Sequence, residues 1–179
     1  MLFRSFGGGA GPVPARRHRN PDGSLGGWVA ETATVAPTAY VGDRVCVYDD
    51  ARVIADARVC DHARVYGAAQ VDDTAWVCGH ARVYGHAWVC GHARVYDRAR
   101  VYDRARVSGD AQVRGDASVS SSAWVYGHAL VCDDACVTGD ARVGDHSYVY
   151  GHARVGGDAL LRGQAIVADE RRVYSGVVS

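Results

Sequence analysis

Every sixth residue from Val29 to Val173 is a branched aliphatic: 25 consecutive positions, of which 24 are Val and one is Leu161. Two residues before each valine sits a second small residue, and from Ala33 to Ala165 it is Ala at 21 of 23 positions, with Val45 and Ser147 the exceptions. The unit reads Ala-x-Val-x-(Gly/Asp)-(His/Asp/Arg). Apolar residues at period two predict a short strand with one buried face, Ala and Val pointing inward. The two positions that follow, as in Gly85-His86, Gly127-His128, Asp97-Arg98 and Gly139-Asp140, are residues that tolerate the backbone of a sharp corner. Strand and corner therefore alternate without an insertion. A fixed short period of this kind predicts a solenoid, in which each repeat buries its face only by stacking on its neighbours.

Runs such as Ala81-Arg-Val-Tyr-Gly-His86 followed by Ala87-Trp-Val-Cys-Gly-His92 resemble the hexapeptide-repeat left-handed β-helix superfamily. The resemblance spans residues 27–174. It implies an all-β fold, a single-stranded left-handed parallel β-helix whose triangular coils take three hexapeptides, or about eight coils in all; the hand comes from the resemblance and not from the period. Residues eighteen apart then lie above one another, one strand spacing of about 4.8 Å per coil. The chain is expected to divide into a flexible leader and N-terminal cap (1–26), the β-helix (27–174) and a short tail (175–179). Leu25 or Phe6 is expected to fold over the first coil.

Composition adds limits. Net charge is zero, every one of the 20 basic residues is Arg, and the only glutamates are Glu31 and Glu170. No apolar run reaches the roughly 20 residues that cross a bilayer, and the N-terminus lacks the order of a signal peptide, so a cytoplasmic location without membrane contact is expected. The six cysteines, Cys46, Cys60, Cys78, Cys90, Cys132 and Cys136, form no C-x-x-C pair, which favours reduced thiols.

The eighteen-residue register sorts outward residues into faces. One carries Arg64, Arg82 and Arg100 in one ladder and Tyr48, Tyr66, Tyr84 and Tyr102 in the parallel one, a candidate binding strip for a polyanion or a glycan. Ordinary outward residues on an exposed sheet would read the same way. The neutral overall charge argues against nucleic acid. The other two faces turn apolar toward the C-terminal half, with Trp124, Tyr126 and Leu160 on one and Leu130, Cys132, Tyr148, Tyr150 and Ile166 on the other, which suggests an interface. The resemblance implies a homo-oligomer, a trimer foremost.

Seven of the eight histidines, His62, His80, His86, His92, His128, His146 and His152, share one corner position that elsewhere holds Asp, Arg, Ser or Thr, so a turn-forming role accounts for each. Acyltransferases of the similar family use a His as general base beside an acyl-CoA groove between subunits. On that resemblance His128 over His146, with Asp110 one coil before, is the catalytic candidate. Cys60, His62, Cys78 and His80 repeat a C-x-H spacing one coil apart and are the candidate zinc ligands, although thiols leave from the face and imidazoles from the corner; Cys60 and Cys78 could instead form a disulfide. The close His pair of the family's γ-class carbonic anhydrases has no match here.

No cofactor is expected, acyl-CoA entering only as the co-substrate of an acyltransferase. The chain also lacks the extruded loop and C-terminal helix that transferases of the family add, and it looks like the all-repeat branch of bacteria and phages that carries a transferase label on fold alone. Three readings follow: a non-catalytic scaffold or binding rod, an acyl-CoA-dependent acyltransferase with an intersubunit site, and an element that stacks end to end.

Overall fold

The computed structural model describes residues 2–6 and 11–179; Gly7–Ala10 of the expected leader, with Met1, lie outside them. Among the described residues there is no helix, and the chain winds into a β-solenoid whose three walls are sheets of eleven, nine and eight strands, about eight turns in all. Each coil adds one strand to each wall. Strands pair in parallel and in strict register, Arg64 beside Arg82 beside Arg100 and Val65 beside Val83 beside Val101.

From Thr34–Val35 through Arg172–Val173 each strand is two residues long, the x-Val pair of the hexad, with Leu160–Leu161 in one place. That is shorter than the four-residue alternation suggests, because the Ala at the head of each hexad already belongs to the corner: Ala63 donates its N–H to Cys60 O at 3.2 Å. The ladder continues around the bend, with Cys60 N–H donating to Val77 O at 2.9 Å and His62 N–H to Gly79 O at 2.8 Å. Backbone pairing thus runs along the wall and into the corner. The Ala and Val columns are fully buried through the middle coils, and each Val contributes roughly 1.5 kcal/mol before chain entropy is subtracted.

The first corner residue takes a left-handed backbone, for example φ 57° at Asp61 and 69° at Gly79. Asp at this position does more than tolerate the bend. The Asp49, Asp61, Asp73 and Asp97 carboxylates accept the N–H of Gly67, Gly79, Gly91 and Gly115, one coil on, at 2.9–3.1 Å. Asp103, Asp133 and Asp145 do the same for Ser121, Gly151 and Gly163. The Asp-then-Gly order at spacing eighteen is therefore a hydrogen-bonding rule, one that ties successive corners together.

At the N-terminal end, β1 (Leu2–Arg4) and β2 (Val13–Arg19) pair antiparallel, and β2 pairs antiparallel with β3 (Leu25–Ala30), which begins the first wall. Part of the expected leader and cap thus extends that sheet. Asn20 covers a second wall: its Oδ1 accepts Val41 N–H at 2.9 Å and its Nδ2 donates to Val41 O at 3.2 Å, as a peptide of a further strand would. His18 Nε2 lies 3.0 Å from Ala39 O, and burial pushes this imidazole below its ordinary range, which fits a neutral ring donating to that carbonyl. Of the two residues expected to cover the first coil, Phe6 is buried and stacks on Tyr48, whereas Leu25 is 57% exposed.

The two departures from the Ala column have different causes. A side chain at Gly27 would meet Val45 O at 2.5 Å and Val45 Cβ at 3.0 Å, so the larger Val45 fills room that Gly27 leaves one coil below. Ser147 has no such compensation: it is fully buried and its hydroxyl has no hydrogen-bond partner among the described residues. Ser147→Ala is therefore expected to stabilise the protein by about 1 kcal/mol, since an unmade buried hydrogen bond costs at least that much. Denaturant titration of the two proteins checks it; an unchanged or earlier midpoint would show that the hydroxyl is satisfied.

Candidate functional site

The wall begun by β3 presents two outward columns. Arg64, Arg82 and Arg100 stand in register in the first, all exposed. In the second, Tyr48, Tyr66, Tyr84 and Tyr102 stack ring on ring, centroids 4.8–5.0 Å apart and planes within 4° of parallel. Phe6 closes the stack at 4.9 Å from Tyr48. The faces between successive rings are consumed by this stacking, so the strip presents chiefly the edges of Tyr66, Tyr84 and Tyr102, with Tyr48 buried.

Burial pushes the Tyr48 phenol up to about 12, with the neighbouring Tyr66 adding to the effect and Arg64 opposing it. Burial also raises Tyr66, against the pull of the Arg82, Arg64 and Arg100 guanidinium groups, and raises Tyr84. A phenol whose pKa is higher folded than unfolded contributes stability below the unfolded value near 10, and that contribution is lost as pH rises through about 12. Phenolate absorbance is expected to show Tyr48 titrating well above a free phenol, and Phe6→Ala is expected to bring it down by letting water onto the ring. Unchanged titration in that variant would mean Phe6 does not shield Tyr48.

Beside the arginine column runs a corner column of Arg44, His62, His80 and Arg98, eighteen residues apart. His62 and His80 stack at 4.8 Å with planes 2° apart, and Arg44 Nη1 lies 3.3 Å from His62 Nε2. Corner and face positions are two residues apart, so three coils each present a basic or imidazole pair: His62 with Arg64, His80 with Arg82, Arg98 with Arg100. Among the described residues the ion pairs are Arg44 with Asp43, His128 with Asp110 and His152 with Asp134, and none engages Arg64, Arg82, Arg98 or Arg100. The nearby Asp61 and Asp97 spend an oxygen each on the corner N–H groups described above.

The other candidates fare differently. His128 and His146 do stack, at 4.8 Å and 8°, and His128 Nδ1 lies 3.7 Å from Asp110 Oδ2. Both partners of that contact are more than half exposed, and the same arrangement recurs at His152 and Asp134, 3.6 Å apart. Cys60 and Cys78 are joined by a disulfide. Their sulfurs and the Asp61 carboxylate gather within 4.8 Å, while the His62 and His80 rings stack on the corner outside that group. The four candidate zinc ligands are thus divided, thiols on the wall and imidazoles at the bend. Leu130, Tyr148 and Ile166 are neighbours in register, whereas Arg142 stands between Trp124 and Leu160.

Sequence reasoning passed over a second aromatic and basic ladder. On the eight-stranded wall, the Arg58 and Arg94 guanidinium groups lie over the Trp76 ring, each 5.5 Å from its centre. The eighteen-residue spacing of Arg58, Trp76 and Arg94 could have revealed it. An open cleft of about 680 Å³ beside it is lined by Thr38, Tyr40, Asp56, Arg58, Thr74 and Trp76, with Pro21 and Asp22.

The repeat family described as YdcK Beta solenoid repeat matches residues 57–73 and 99–115. No curated protein matches the chain. The match agrees with the three-walled solenoid, and the chain is a β-solenoid repeat protein.

Proposed function

We propose that this β-solenoid is a non-catalytic binding rod, and that its basic flank holds an extended anionic polymer. One observation carries the reading: Arg64, Arg82 and Arg100 stand in register over three coils, exposed and without a carboxylate partner among the described residues. A site built by translation repeats its contacts every coil, which suits a ligand that is itself a repeat and does little for a compact substrate. Arginine also forms the strongest paired hydrogen bonds to oxyanions.

The test is the triple variant Arg64→Glu, Arg82→Glu, Arg100→Glu against a soluble acidic polymer. Because the three side chains are exposed, circular dichroism is expected to stay unchanged, while affinity falls about tenfold or more, the equivalent of at least 1.4 kcal/mol. Undiminished binding by the folded variant would remove the assignment.

A second reading, acyl transfer from acyl-CoA in a homotrimer, draws support from the Asp110–His128 contact and the Leu130, Tyr148, Ile166 run. An Asp can orient an imidazole as general base. Acyl-CoA turnover that disappears in the His128→Ala, His146→Ala double variant would establish it over the binding rod; absence of acyl-CoA binding would end it.

A further inference from the structure

We infer that the polymer is an acidic polysaccharide bearing about one carboxylate per sugar, and that the corner column of Arg44, His62, His80 and Arg98 is the second half of its site. This inference rests on the binding-rod reading. It adds the ligand's chemistry and four residues to it.

The first argument is the repeat length. Donors recur once per coil, and the stacked His62 and His80 rings and the Tyr66 and Tyr84 rings show that step to be 4.8 Å. An extended pyranose chain advances by nearly the same length per sugar, so a chain lying along the rod meets one pair of columns per residue. Duplex DNA carries a phosphate about every 3.4 Å along each strand, so it advances by roughly 1.4 phosphates per coil and does not offer one at each rung of the ladder.

Ring orientation is the second argument. Single-stranded nucleic acids gain much of their affinity by stacking bases on open aromatic faces. Here the tyrosine faces are closed against one another within 4° of parallel, and the two imidazoles within 2°. Phenol hydroxyls, which donate and accept like the hydroxyls of a sugar, remain on the partly exposed Tyr66, Tyr84 and Tyr102, while Tyr48 is buried. A ligand with both carboxylates and hydroxyls at each step uses the arginines and the tyrosines together; a bare polyphosphate uses only the arginines.

Third, the charges on the flank are free to be used. Arg98 and Arg100 have no ion pair among the described residues, and Arg44 has only a 4.0 Å approach to Asp43 while its Nη1 lies against His62. The basic columns also stop together: one coil beyond Arg98 and Arg100 stand Asp116 and Ser118. Paired columns over three coils accommodate a segment of three to four sugars.

Binding of polygalacturonate to the full chain, followed by calorimetry or interferometry at two salt concentrations, tests the inference. The expected result is saturable binding that weakens with salt and falls about tenfold or more when the carboxylates are methyl-esterified, leaving the same backbone uncharged. Arg44→Gln with Arg98→Gln, both exposed positions, is expected to lose roughly fivefold with unchanged circular dichroism. An oligothymidylate of equal charge is expected to bind at least tenfold more weakly. Equal affinity for the esterified polymer or for the oligothymidylate, or no loss in the corner variant, would overturn the polysaccharide assignment and leave the binding rod standing. Failure of every polymer to bind would overturn both.

Discussion

Val101→Asp is expected to cost more than about 4 kcal/mol and to leave the centre of the rod unfolded. Val101 is fully buried, with Val83 below it and Val119 above it in the same inward column. A carboxylate there has no solvent, and the adjacent Arg100 and Tyr102 N–H groups already donate to Ala117 O and Val119 O; Val83 and Val119 flank it on both sides. Because each coil of a solenoid contacts only its neighbours, damage is expected to be centred on the coils of Val83, Val101 and Val119. Hydrogen exchange should show protection lost there first and retained near Val41 and Val149. Val101→Ala, a control that removes only two methyl groups, is expected to cost about 2 kcal/mol and keep the fold. A soluble Val101→Asp protein with wild-type protection would refute the buried valine column.

Loss of the Cys60–Cys78 disulfide is expected to cost about 3 kcal/mol, the value for closing a loop near eighteen residues long. For a chain of 179 residues that corresponds to a fall in Tm on the order of 10 °C. The Cys60→Ser, Cys78→Ser variant should melt at that lower temperature whether or not reductant is present, while the unaltered protein should reach it only when reduced. Four titratable thiols, Cys46, Cys90, Cys132 and Cys136, are expected in the oxidised protein. Six thiols and no effect of reductant would sink the prediction. Cysteine spacing along the chain favours reduced thiols, since it contains no C-x-x-C pair. In the folded chain residues eighteen apart are neighbouring rungs, and the Cys60 and Cys78 Cα atoms lie 4.6 Å apart, within the range a disulfide spans.

The candidate flank was legible in part. Arg64, Arg82 and Arg100, and the four tyrosines beside them, could be assigned to one wall from the eighteen-residue register, and they are placed so. What the spacing does not carry is how the rings turn. Whether Tyr66 lays its face or its edge toward water depends on χ angles, and those are chosen by the rings one coil above and below. The same holds for the His62 and His80 pair, whose stacking comes from identical side chains meeting at one bend, and for Trp76, closed between Arg58 and Arg94. Antiparallel pairing of β2 with β3 lay outside the hexad rule, because Val13–Arg19 has no six-residue pattern and gains its order from an open strand edge.

The sequence by itself determined the repeat, the inward columns, the corners and the list of residues that share each wall, because a period of six with Ala and Val at fixed places leaves only one face that can be buried at every step. Only the tertiary structure decided which neighbours on a wall bond, stack or stay unpaired. Cys60 meets Cys78, Asp61 reaches the Gly79 N–H, Val45 fills the space over Gly27, and Arg82 meets no carboxylate among the described residues. Those outcomes depend on contacts between coils eighteen residues apart, at distances of 3 to 5 Å where geometry and competing partners, and not residue type, select the interaction.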